Sequence, residues 1–295
     1  MVKELKLKLS EKYEVKDTCS LSNHINERLG AGPKKTRIIF RNHDTGEEIG
    51  SYENKVLVPG SQFNAMRVFG IDTAVPFKTY NEEMKLDNSS VEGAEHKNEP
   101  IVCLFCISDS GCGTLPTEVI VSNFTDRIKP APASPASTSE FKSDMIMPFR
   151  YVSKAEDLDE NLRKYYFGRK EFSALDRIGY YFKTFDTQPM LHVQYADGTP
   201  VTESLYNSTS NQSVECYVEM RLRITRLDFR DYFEQVLGWD KARISSLSLC
   251  FAWYDDEINE YKYYQDITPY SLLNFSYLAL ADLDLAVDVE YQIFY

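Results

Sequence analysis

The sequence predicts a mainly β protein, a β-rich α+β fold in which antiparallel, sandwich-like sheets carry a few short helices. Three observations lead there. In the closing LDLAVDVEYQIFY, Leu283, Leu285, Val287, Val289, Tyr291, Ile293 and Tyr295 fall on one side of an extended strand, and Asp284, Ala286, Asp288, Glu290 and Gln292 fall on the other. In VECYVEMRLRIT the same period sets Val214, Cys216, Val218, Met220, Leu222 and Ile224 against Glu215, Tyr217, Glu219, Arg221, Arg223 and Thr225. One packed face and one wet face are the pattern of antiparallel sheets. The third observation is turn chemistry between extended segments, with glycine placed where positive φ is needed.

In chain order, MVKELKLKLS alternates Leu5, Leu7 and Leu9 with lysines and reads as a strand, and SLSNHINERLG reads as a short helix closed by Gly30. KTRIIFRN and EEIGSYENKVLV flank His43-Asp44-Thr45-Gly46 as a hairpin, whose second arm ends at Val58-Pro59-Gly60. Residues 81–99 are polar and poor in aromatics, the composition of an exposed loop, and IVCLFCIS reads as a buried strand entering the glycine turn SGCG. Ser153-Lys154-Ala155-Glu156 fits a capping box for a helix DLDENLRKYYFG stopped by Gly168, and LDFRDYFEQVLG reads as a helix ended by Gly238. LHVQY and PVTESLY form a hairpin across Ala196-Asp197-Gly198-Thr199, and SLSLCFAWY and EYKYYQDI form another across Asp255 to Asn259.

The clearest boundary is the segment from Pro130 to Ser139, whose prolines and small residues cannot continue a helix or a central strand. Of 20 tyrosines, only Tyr13, Tyr52 and Tyr80 precede residue 150. The expected organisation is an N-terminal β-rich domain over 1–129, a Pro/Ala/Ser linker or exposed loop over 130–143, and a tyrosine-rich, acidic β domain over 144–295.

The net charge of −12 sits mainly in the second half: residues 1–150 carry 19 basic against 21 acidic side chains, and the remainder carry 14 against 24. An acidic surface repels phosphate backbones, which disfavours nucleic acid as the primary ligand. The longest apolar run, IVCLFCI, is far short of the roughly 18–20 residues that cross a bilayer. The alternating amino terminus does not read as a signal peptide, so the six cysteines are expected as reduced thiols inside a cell.

Candidate chemistry is sparse. Cys103-Leu-Phe-Cys106 with Cys112 is the best zinc set, needing a fourth ligand such as His24, His43 or His96, but a strand throws Cys103 and Cys106 to opposite faces and favours buried apolar cysteines. Cys112 on its glycine turn has no histidine in a recognisable partner motif. Asp255-Asp256-Glu257 and the face Asp282, Asp284, Asp288 and Glu290 carry the ligand types for calcium or glycoside hydrolysis, yet a hairpin tip and a solvated strand face account for both. The sequence contains no G-x-S-x-G, G-x-x-x-x-G-K-[ST] or G-x-G-x-x-G. The expectation is a protein without catalytic, cofactor or metal residues, working through its tyrosines. Rigid amphipathic rings suit protein interfaces and also stack on sugars, and Tyr254, Tyr261, Tyr263 and Tyr264 are expected to form an exposed aromatic hairpin that makes the contact.

Taken in order, DTGEEIGSYENKVLVPG, MPFRYV, YYFGRK, YYFKTFD, ADGT, RISSLSLCFAWY and LLNFSYLALADLDLAVDVEYQIFY resemble virion structural proteins of large tailed bacteriophages. The resemblance implies a head, neck or tail component, with neck or tail favoured over the shell. It further implies assembly in the host cytoplasm, with copies of itself and other virion proteins as partners. The competing expectation is a carbohydrate-binding or adhesion module using the same tyrosines.

Overall fold

The computed structural model describes residues 35–69, 79–86, 100–113, 115, 117–123, 126, 128, 146–195, 197–201, 214–255, 263–280 and 286–295. Its strands are β1 (Lys35–Asn42), β2 (Glu48–Glu53), β3 (Lys55–Val56), β4 (Ile101–Ser108), β5 (Ile146–Met147), β6 (Arg150–Ser153), β7 (Tyr166–Phe172), β8 (Arg177–Thr184), β9 (Met190–Tyr195), β10 (Val214–Ile224), β11 (Arg243–Asp255), β12 (Tyr263–Ala279) and β13 (Val287–Phe294). Short helices α1 (Val58–Phe69), α2 (Tyr80–Met84), α3 (Glu160–Arg163) and α4 (Leu227–Tyr232) lie between them. Among the described residues all strand pairings are antiparallel, and the fold is mainly β as the alternation predicts.

The strands form a five-stranded sheet in the order β2-β1-β13-β10-β9 and a larger sheet along the path β3-β12-β11-β4-β8-β6, with β5 on β4 and β7 on β8. In β13 every second residue is buried: Val287, Val289, Tyr291 and Ile293 turn inward. They meet Ile38 and Phe40 of β1 and Met220, Leu222 and Ile224 of β10 on the same face. The larger sheet covers that face. Phe40 and Phe275 approach to 4.8 Å between ring centroids, and the Tyr291 hydroxyl lies 2.7 Å from Ser271 Oγ and accepts from the Asn54 amide. Tyr291 thus buries its ring, worth roughly 2–3 kcal/mol, without orphaning its hydroxyl. On the outer face, Arg41 pairs with Glu290 at 3.4 Å and Arg223 with Asp288 at 3.0 Å, as a wet strand face requires.

Residues 130–143 lie outside the described residues, and the strands before and after them share both sheets. β1 is hydrogen-bonded to β13, and β4 lies between β11 and β8. Strands from both of the regions expected from composition therefore take part in each sheet. Burial joins them, since Ile38 and Phe40 of β1 and Val289 and Tyr291 of β13 share the small sheet's inner face.

Several local expectations hold. The β1–β2 hairpin turns through Gly46 at φ 71°; the turn after β9 passes through Gly198 at φ 86° with Tyr195 N–H donating to the Thr199 carbonyl at 2.9 Å, while residues 202–206 of its expected second arm lie outside the described residues. α4 continues into a π turn, Phe233–Leu237, and ends at Gly238, whose N–H reaches back to the Phe233 carbonyl at 2.6 Å.

Others are corrected. Ser153 caps only a 3₁₀ turn, accepting from Glu156 N–H at 3.2 Å, and Asp159 caps the four-residue α3. The expected helix stop, Gly168, instead sits inside β7 at φ 68°, where an added Cβ would meet Phe182 Cδ2 at 2.4 Å. The rings of Tyr166 and Phe167 are better buried against β8 than left on a helix surface, and tertiary packing overrides the capping signal. Val58-Pro59-Gly60 ends β3 but also opens α1, proline being tolerated in a first turn. At the start of the polar stretch 81–99, Thr79 and Glu82 form a capping box and α2 buries Asn81 and Met84. The rest of that stretch, 87–99, lies outside the described residues, as do the amino-terminal strand MVKELKLKLS and the helix SLSNHINERLG.

Candidate functional site

β8 is held on both sides at its end: Leu104 and Phe105 of β4 face Thr184 and Lys183, while Tyr166 of β7 faces Lys183 from the other side. Beyond Thr184 the chain leaves the large sheet. The Asp186 N–H donates to the Arg221 carbonyl of β10 at 2.8 Å, so Phe185 to Pro189 cross toward the small sheet. Had β8 continued, its next residues would lie between Ile101–Cys103 and Lys164–Tyr165. That place is instead an open groove of about 740 Å³, walled by those two segments, by Thr184 to Pro189 and by Tyr264. Its size is within the range of ligand-binding clefts.

The groove lining mixes aromatic and aliphatic side chains with the polar Lys164, Thr184, Asp186, Thr187 and Gln188. Tyr165 is 45% exposed, as is Ile101, and the Lys164 ammonium lies 5.1 Å over the Tyr165 ring. Across from them, the Asp186 carboxylate is neutralised by Arg223 at 3.2 Å. Arg223 also grips Asp288, which in turn meets His43 Nδ1 at 2.8 Å, so a chain of polar contacts links the β1–β2 turn to the groove wall. Burial would raise Asp288, but hydrogen bonds from His43 and Arg223 outweigh it and hold the carboxyl below its ordinary value. Among the described residues the one thiol in the lining, Cys103, is pushed well above the usual thiol range by burial and by neighbouring Cys250, which makes it a weak nucleophile.

Directly behind the groove lies a buried ionic cluster. Tyr166 and Lys183 are cross-strand partners, and both reach Asp228 of α4, which is fully buried. Lys183 Nζ donates to Asp228 at 2.7 Å and to the Arg223 carbonyl at 2.8 Å, Tyr166 donates at 2.5 Å, and Thr225 N–H donates at 2.6 Å. Burial, then the Asp228 charge, pushes the Tyr166 phenol far up, keeping it a neutral donor. The residues next to this pair in sequence, Tyr165 and Thr184, line the groove. The cluster therefore fixes the strand ends that shape it.

Of the four tyrosines expected in an exposed hairpin, Tyr264 is turned inward, 7% exposed, with its ring edge-on to Phe167 at 4.5 Å. The register explains this, because β12 runs beneath β7 there and offers Tyr264 a ring to pack on. Tyr254 and Tyr263 belong to the paired β11–β12 hairpin, opposite Tyr264 and Asp255 respectively, and Tyr261 lies outside the described residues. Most of the tyrosine excess is core: Tyr180, Tyr181 and Tyr166 are buried. Sequence reasoning missed Lys164 and the crossing segment 184–189, whose signal was Asp186-Thr187 and Pro189 breaking the run after β8.

Cys103 and Cys106 are both buried, and Cys106 shares a hydrogen bond with Cys250 on the neighbouring strand. Cys112 is also buried, in a bridge to Val119. Among the described residues, no group of three or more His, Cys, Asp or Glu side chains is placed to hold a metal ion. His24, His96, Asp256, Glu257, Asp282 and Asp284 lie outside them. Among the described residues, no helix is long and apolar enough to cross a membrane. Comparison with family models, with curated proteins and with solved structures returns no match.

Proposed function

We propose that this chain is a non-enzymatic structural component of a tailed-phage virion, acting through repeated protein–protein contacts in the neck or tail, and that the groove at the end of β8 is one of its contact surfaces. Its partners in this reading are other virion proteins and copies of itself. The observation that carries the binding role is the convergence of Tyr165, Ile101 and Lys164 on one concavity backed by a rigid ionic cluster. Exposed aromatic and aliphatic anchors on a preorganised wall are what a protein contact needs. The assignment to a virion rests on the sequence resemblance. Complementation of a phage lacking this chain with a Tyr165→Ala/Lys164→Glu variant tests the reading. Particles should incorporate the variant poorly although the purified protein unfolds at the wild-type temperature. Normal incorporation and infectivity would refute it.

A second reading is favoured by one feature: the half-exposed Tyr165 ring shares the groove with the Asp186 carboxylate and the Gln188 amide, a pairing that suits a sugar ring. A glycan array on the purified chain separates the two, since an assembly surface gives no glycan signal.

A further inference from the structure

The groove is also a gap in a β-sheet, and this gives its occupant a shape. Among the described residues, Ile101 and Val102 pair with β11 on one side, opposite Ala252 and Phe251, while β8 joins the other side of β4 only from Leu104 onward. Across the gap, Tyr165 carries the backbone just ahead of β7, and its carbonyl accepts from Thr184 N–H at 3.0 Å, the last rung before β8 departs. Phe185 to Pro189 cannot close the gap, because Asp186 N–H is committed to Arg221 in the other sheet.

The charge in the groove is also one-sided. Asp186 is neutralised by Arg223 at 3.2 Å, whereas among the described residues Lys164 makes no ion pair and rests on the Tyr165 ring. A cation at the mouth of an open strand position complements a carboxylate. In a chain of net charge −12, that local sign distinguishes this wall from the protein as a whole.

Resting on the contact-surface reading above, we infer that the occupant is an extended, acidic peptide segment of a partner protein. It adds as a strand along Ile101–Cys103 in the place the continuation of β8 would have taken, with a carboxylate set against Lys164. Main-chain hydrogen bonds supply affinity in such strand addition, and alternate side chains supply specificity. An apolar residue next to the acid would lie against Tyr165 and Ile101.

The test uses the purified full chain and an array of capped seven-residue peptides. Their central residue is fixed as Glu, Gln or Lys and their other positions are drawn from Val, Thr and Phe; binding is read by fluorescence anisotropy. Glu-centred peptides should bind roughly tenfold more tightly than Lys-centred ones, Lys164→Glu should invert that order, and N-methylation of alternate peptide amides should abolish binding. Circular dichroism verifies that the variant is folded. Equal binding of Glu and Lys peptides, binding that survives N-methylation, or no binding by any pool would overturn the inference. If the peptides fail while the Tyr165→Ala/Lys164→Glu variant is still excluded from particles, only the strand-addition inference falls; if the variant is also incorporated normally, the contact-surface reading falls with it.

Discussion

The Lys183 ammonium meets the Asp228 carboxylate at 2.7 Å, with the carboxylate fully buried behind the groove wall. Two charges removed from water are tolerated here because Tyr166 and Thr225 N–H complete the carboxylate's hydrogen bonds and the Arg223 carbonyl takes another from the ammonium. Breaking the set from one side leaves a buried charge unpaired. Asp228→Asn should cost about 3–5 kcal/mol in urea unfolding, whereas the double change Asp228→Leu with Lys183→Met should recover most of that loss. A single-variant cost below about 1 kcal/mol would show the pair to be solvated.

Tyr264 packs edge-on against Phe167 at 4.5 Å and is nearly inaccessible. Tyr264→Ser should therefore act on stability, lowering it by about 3–5 kcal/mol as loss of a buried ring does. Tyr165→Ser, at a ring 45% exposed, should leave thermal unfolding within about 0.5 kcal/mol of wild type. Calorimetry on the two variants separates the buried tyrosine from the exposed one.

Gly168 and Gly198 share positive φ, 68° and 86°, but not their surroundings. A Cβ at Gly198 meets nothing within 4 Å, and one at Gly168 would strike Phe182 Cδ2 at 2.4 Å. Gly198→Ala should cost about 1–2 kcal/mol from backbone conformation alone, and Gly168→Ala roughly 2–5 kcal/mol once overpacking is added. Equal costs would mean that Phe182 yields freely.

Asp288 is held below the ordinary aspartate value of 3.8 by its bonds to His43 and Arg223, against the opposing effect of burial. A depressed carboxyl stabilises the fold above its unfolded value and loses that contribution as the pH falls through the folded one. Asp288→Asn should accordingly lower stability at neutral pH and flatten the decline below pH 3.8, read from urea midpoints across an acid series. An unchanged acid limb would show that the link does not form in solution.

The small sheet's final strand was legible because a period of two survives any context in which one face is packed, and β13 shows it from Val287 to Phe294. The β1–β2 hairpin was equally plain, since Gly46 marks its own turn. What could not be read was which strands would meet. Ile38 pairs with Tyr291 across most of the chain, and no local pattern encodes that choice. The same limit hid the groove, which exists only because β4, β8 and the segment before β7 converge and β8 then leaves. Ser153 misled for a related reason: its cap is real, yet the Tyr166 and Phe167 rings gain more from β8 than from continuing a helix. The Thr79 capping box of α2, like the break at Asp186-Thr187 and Pro189, was a local signal overlooked.

Cryo-electron microscopy of the assembled particle is the deciding measurement. This chain is expected in symmetric copies in the neck or tail, with density from another chain filling the groove against Tyr165 and Lys164. A particle that lacks the chain, or one in which the groove stands open to solvent in every copy, would contradict that expectation.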